Sequence, residues 1–136
     1  MNETRRAIFD RLSGDATLTG LLAAPGNIYH QVAPQTATFP VVVFHKAAGT
    51  PVLQFVGAYV QNDLWSVRAI SQGSSSTAAE EIAARVDVLL DNAELAITGR
   101  VHLYLRRDSD IDMSEQDGAD TFAHVGALYR LWTQPT

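Results

Sequence analysis

The segment Phe122 to Thr133 alternates like a β-strand but is apolar on both of its sides, and this limits the folds open to the chain. Val125, Ala127, Tyr129 and Leu131 fall on one side, and Phe122, His124, Gly126, Leu128, Arg130 and Trp132 on the other. An antiparallel sheet covered by helices on one face normally turns a polar face to water. A strand of this kind therefore predicts a sheet with bodies on both faces, the second supplied by this chain or by another.

The body on the first face is legible as helix. Residues 2–12 gather Ala7, Ile8 and Leu12 on one side of a helix and leave Glu3, Arg5, Arg6 and Arg11 outside it. After Gly14, Asp15 or Thr17 is placed to cap a short second helix running to about Leu22, closed by Pro25-Gly26. The clearest helix spans 77–91, where Ala79, Ile82, Ala83, Val86, Leu89 and Leu90 recur at three- and four-residue steps. Thr77 and Glu80 stand at capping-box spacing at its start, after the polar linker Gln72 to Ser76.

The sheet is read from β-branched and alternating runs. Val41 to His45 is one strand, with Pro40 at its tolerated first position. Tyr59 to Ile70 is another, with Trp65, Val67 and Ala69 on one face and Leu64, Ser66, Arg68 and Ile70 on the other. Arg100 to Arg106 is expected to turn Val101, Leu103 and Leu105 inward. Asn27 to Pro40 reads as irregular, with Ile28-Tyr29-His30 briefly extended. Gly49-Thr50-Pro51 reads as a turn within a weakly patterned segment, 45–60, that suits a projecting arm. Asp108 to Asp120 reads as a solvated acidic loop. The expected fold is α+β: one domain over 1–136, an antiparallel sheet of about four strands flanked by helices, in the order α-α-β-β-α-β-β.

Chemistry finds little foothold in this pattern. With no cysteine among 136 residues, disulfides, thiolate nucleophiles and Cys-type zinc sites are excluded. The acidic stretch fails as a calcium loop, because no frame from Asp108, Asp110 or Asp112 puts Gly at position six and Glu at twelve. None of His30, His45, His102 and His124 stands in a His-Glu-x-x-His arrangement, so they read as surface or partner-facing groups. Gln72-Gly73-Ser74-Ser75-Ser76 lacks the second glycine of a nucleophile elbow, and no phosphate-binding glycine loop occurs. A pocket between helix 77–91 and the sheet would be lined from the helix only by alanine and aliphatic groups. Nothing here calls for a cofactor or a metal, and the expectation is a protein that is not an enzyme. No apolar run approaches the ~20 residues of a membrane-spanning helix, and no secretory signal is visible.

What remains is surface for contact. Arg106 and Arg130 lie on a common surface beside Tyr104 and Trp132 if the last two strands pair, and the strand Tyr59 to Ile70 adds Trp65 and Arg68. Arginine interleaved with aromatics suits single-stranded nucleic acid or a protein interface. A formal charge of −5 and the absence of any RNA-binding motif favour the protein interface. The expected contact set is Trp65, Arg68, Tyr104, Arg106, Arg130 and Trp132, with Asp108, Asp110 and Asp112 as a contact loop.

The order of these features resembles the tail-completion, or tail-terminator, proteins of long-tailed bacteriophages. The matching pieces are the helix Thr4 to Leu12, the Leu-rich helix Leu18 to Leu22, and Ile28-Tyr29-His30-Gln31-Val32-Ala33-Pro34 followed by Phe39-Pro40-Val41-Val42-Val43. After them come Leu64-Trp65-Ser66-Val67, the helix Ala78 to Leu90, and the closing Gly126-Ala127-Leu128-Tyr129-Arg130-Leu131-Trp132. The resemblance implies a structural virion protein at the head-proximal end of the tail, made in the host cytoplasm. It implies a ring, typically of six copies, that caps the tail tube, ends its growth and offers a surface to the head. The implied partners are further copies of the chain, the tail-tube protein and a head-tail connector protein, with no membrane and no sequence-specific nucleic acid. A head-side stopper or adaptor, or a small nucleic-acid-binding module, are the competing readings.

Overall fold

All three amphipathic helices deliver their apolar stripes to the same face of a single sheet. The computed structural model describes residues 2–53 and 59–136. Its elements are α1 (Asn2–Ser13), α2 (Ala16–Leu21), β1 (Ile28–His30), β2 (Val41–Leu53), β3 (Tyr59–Gln72), α3 (Thr77–Leu90), β4 (Arg100–Asp117) and β5 (Asp120–Pro135). The core joins Ile8 and Leu12 of α1, Leu18 of α2, and Ile82, Val86 and Leu90 of α3 to the sheet residues Phe44, Trp65, Val67, Ala127, Tyr129 and Leu131. Burial of such side chains, each worth about 1.5–3 kcal/mol, holds helices too short to stand alone.

The fold is α+β, but the sheet corrects the expectation in two ways. It has five strands in the order β1-β2-β3-β5-β4. It is also mixed, because β1 pairs with β2 in parallel while the other pairings are antiparallel. The element order is accordingly α-α-β-β-β-α-β-β. Three residues, Ile28–His30, are too few to show a period, so the sequence marks β1 only as extended.

Two segments read as irregular are strand. β2 runs on through Gly49, Thr50 and Pro51 to Leu53, with a bulge between Lys46 and Ala48. Beyond Phe44, where β1 stops, this part of β2 is an edge, where proline is tolerated. Residues 54–58, the middle of the expected arm, lie outside the described residues. The acidic stretch is no loop either: β4 continues to Asp117, and only Gly118 and Ala119 turn the hairpin, with φ +62° at Gly118. Both sides of this half of β4 face water, so it lacks the apolar period by which strands are recognised.

Bulges also explain a wrong side assignment. One between His102 and Tyr104 takes Leu103 out of register, leaving Val101 and Leu103 exposed and only Leu105 buried. The cap of α3 likewise sits one residue earlier than expected. Ser76 is the N-cap, and its hydroxyl donates to Glu80 Oε1 at 3.1 Å, in place of a Thr77–Glu80 box.

The cap of α2 does fall on Asp15, whose carboxylate accepts from the Leu18 amide at 2.9 Å. The same carboxylate receives Arg85 Nε and Nη2 of α3, each at 2.8 Å, so one side chain caps one helix and ties it to another. Arg85's hydrogen bonds, outweighing burial, lower the Asp15 pKa from 3.8 to about 2. A depressed carboxylate stabilises the fold above its unfolded pKa and ceases to do so as pH falls through the folded one. Asp15→Asn is therefore expected to remove a fall in urea midpoint between about pH 4 and about pH 2; an unchanged slope in that window would contradict the assignment. At Gly126 an added Cβ would lie 2.2 Å from the Val67 carbonyl oxygen and 2.6 Å from Arg68 Cα. Gly126→Ala should force β3 and β5 apart and cost about 2 kcal/mol or more, measurable as a lower urea midpoint, whereas wild-type stability would refute the close approach.

Candidate assembly interface

The sheet face turned away from the helices brings most of the expected contact residues together. Arg68 of β3 stands across from Gly126 of β5, and two rows further along β5 Arg130 stands across from Arg106 of β4. The next row pairs Trp132 with Tyr104, whose rings meet edge to face with centroids 6.3 Å apart. Leu64, Ser66 and Leu128 form the floor between them. The side-chain period of two, carried across three paired strands, is what gathers these residues.

Trp65 does not belong to this surface. Its neighbours along β3 alternate, so it points to the helices, only 2% exposed and 6.2 Å from the Phe44 ring. Tyr129 is likewise core: its hydroxyl donates to Asp87 Oδ1 of α3 at 2.9 Å. Burial, then that hydrogen bond, pushes the Tyr129 hydroxyl well above its ordinary pKa. Arg107 Nη1 also donates to Asp87 Oδ1, so α3, β4 and β5 meet on one carboxylate.

The three aspartates part company. Asp108 bulges out of the β4 register and accepts from Arg130 Nε at 3.2 Å, on the helix-free face. Asp110 turns to the helix side, where Arg107 Nε and Nη2 reach its Oδ1 at 3.1 and 2.7 Å. Asp112 makes no ion pair among the described residues.

One end of the helix-free face is covered by the chain itself. Tyr29, Ala33, Ala37 and Phe39 pack over Val41, Val43, Ile70 and Phe122, with the Phe39 and Phe122 rings 5.0 Å apart. Among the described residues, no such cover lies over the other end, from Arg68 to Trp132 and Tyr104. Tyr104 is 44% exposed. Within this part, Arg68 Nε and Trp132 Nε1 are buried and have no hydrogen-bond partner among the described residues. Their lack of acceptors was not legible in the sequence, since it depends on which strands become neighbours. Beside them, burial and then the charge of Arg68 hold His45 below its ordinary pKa.

The remaining concavities are modest. A cleft of about 440 Å³ lies between α1 and residues 94–96, and not between α3 and the sheet. Among the described residues no three metal-binding side chains cluster, and no helix is long and apolar enough to cross a membrane.

The tail completion protein gp17 family matches residues 6–134. The chain belongs to this family. It is accordingly a structural protein of the phage tail, and a component of the virion. A chain from the virion of a native gene transfer agent particle has the same fold, with a TM-score of 0.79 at 16% identity, over 98% of this chain and 96% of that one. A second solved structure aligns with a TM-score of 0.57 at 17% identity, over 96% of this chain and 94% of that one. No curated protein matches. The tail-completion resemblance read from the element order is thus correct.

Stability should separate the two kinds of aromatic and charged position. Trp65→Ala is expected to cost about 3–5 kcal/mol in urea denaturation, and Arg130→Ala clearly less, about 1–2 kcal/mol, because its ion pair with Asp108 is partly solvated and what it chiefly loses is the Nη1 bond donated to Asn62 Oδ1. Equal losses from both variants would contradict the division between core and surface.

Proposed function

We propose that the chain, acting as one tail-completion domain, caps the phage tail tube as a ring of its own copies. The ring ends tube growth at the head-proximal end and presents a surface for joining the head. Its work is mechanical, and its partners are further copies, the tail-tube protein and a head-tail connector. The observation that carries this reading is the uncovered half of the sheet face, on a chain that belongs to a tail completion family. Aromatic and arginine side chains on a partly desolvated surface suit protein contact.

Arg68, Tyr104, Arg106, Arg130 and Trp132 supply that contact in the proposal, with Asp108 along its margin; Asp110 and Asp112, across from Ala127 and Val125, lie on the helix side of β4 and outside it. Charge favours a protein over a nucleic acid here. Arg130 is held by Asp108 and Arg106 reaches Asp91 at 3.4 Å, so two of the three arginines already have carboxylate partners. A head-side connector would make similar use of the same face, and binding to tail tubes separates the two roles.

Native mass spectrometry and electron microscopy of the purified chain, alone and with tail tubes, test this proposal. Closed oligomers that bind tube ends are expected, and Trp132→Ala should weaken them while leaving the circular dichroism spectrum intact. A strictly monomeric chain at high concentration, with no affinity for tubes, would rule the proposal out.

A further inference from the structure

The open half of the sheet face holds one arginine without a counter-charge. Arg106 and Arg130 reach Asp91 and Asp108, but Arg68 makes no ion pair among the described residues. The register shows why: its own row holds Val43, Gly126 and Ile111, and neither row beside it carries a carboxylate. Half-buried Leu128 and Leu64 stand on the same face, one and two rows further on. A protein laid over this surface strips water from an uncompensated cation, which is costly unless the covering surface brings an acid.

The opposite side of the molecule carries a surface of the converse kind. α3 turns Ala79, Ile82, Val86, Leu89 and Leu90 to the core, so its outermost stripe is Glu81, Ala84 and Val88, at three- and four-residue steps. All three are exposed, Val88 by 67%. Arg85, the only cation of α3 and one turn beyond Glu81, is held by Asp15 through two hydrogen bonds. Glu81 is therefore left without an ion pair among the described residues. Because α3 packs on the helix side of β3 and β5, this stripe and Arg68 lie on opposite sides of the sheet and cannot meet within one chain.

We infer that the Glu81, Ala84 and Val88 stripe of α3 docks on the Arg68 face of a second copy, with Glu81 against Arg68 and Val88 against Leu64 and Leu128. This rests on the ring reading and names its joint. The spans agree. Glu81 and Val88 lie roughly 10 Å apart at about 1.5 Å per helical residue, and Arg68 and Leu64 roughly 13 Å apart at about 3.3 Å per strand residue. Each surface offers what the other lacks, a free carboxylate beside an exposed aliphatic group on one and a free guanidinium beside two leucines on the other. A contact between unlike surfaces on opposite sides of one chain is heterologous, and it propagates head to tail until the rotation closes a ring.

Charge reversal tests the joint, with association read by analytical ultracentrifugation. Arg68→Glu and, separately, Glu81→Arg are each expected to weaken self-association by about tenfold or more, because each sets like charges against one another. The chain that carries both substitutions should associate again, since the exchanged charges still attract. Glu81→Arg alters only an exposed side chain, so its fold is secure even if the Arg68→Glu chain is weakened; circular dichroism checks all three variants. Wild-type association by Glu81→Arg would overturn the joint and leave the ring standing. Loss in both single variants that persists when they are combined would overturn it too, and would assign Arg68 to a tail partner. A wild-type chain that stays monomeric would remove the ring and the joint together.

Discussion

The structure depends on one sheet having to hide two faces with helices enough for one. α1, α2 and α3 bury the side that carries Trp65, Tyr129 and Leu131, and their docking is held at two carboxylates. Asp15 joins α2 to α3 through Arg85, and Asp87 joins α3 to β4 and β5 through Arg107 and Tyr129. The second face is closed at one end by residues 29–39 and, among the described residues, left open at the other. The strip from Arg68 to Trp132 is the remainder, and its partly desolvated arginine and tryptophan have the character of an interface more than of a solvated surface.

Family membership gives this strip a setting. A tail completion protein works among other proteins of the particle, and a face suited to contact fits such a role. The likeness to a chain of a gene transfer agent virion, at 16% identity, speaks for the fold alone. That so little shared sequence suffices agrees with how the fold is specified: by apolar periods and caps, which many sequences satisfy.

The sequence was most legible where burial imposes a period. The stripe of α3, the Asp15 cap of α2, and the opposite sides of Trp65 and Arg68 on β3 follow from spacing alone. It was least legible along edges. The outer half of β4 is wet on both sides and so carries no period, β1 is too short for one, and the bulge at Leu103 reverses a side assignment that strict alternation would give. Of the expected contact residues, Arg68, Tyr104, Arg106, Arg130 and Trp132 share the helix-free face. Trp65 was drawn in by its residue type, although its parity along β3 already placed it with Val67 and Ala69 of the core.

The central claim is that another protein covers the open half of the sheet face in the particle. Hydroxyl-radical footprinting of the free chain and of the chain incorporated in tails measures this directly at Tyr104 and Trp132. Incorporation should protect both. Undiminished labelling of Tyr104 and Trp132 in intact tails would contradict the claim.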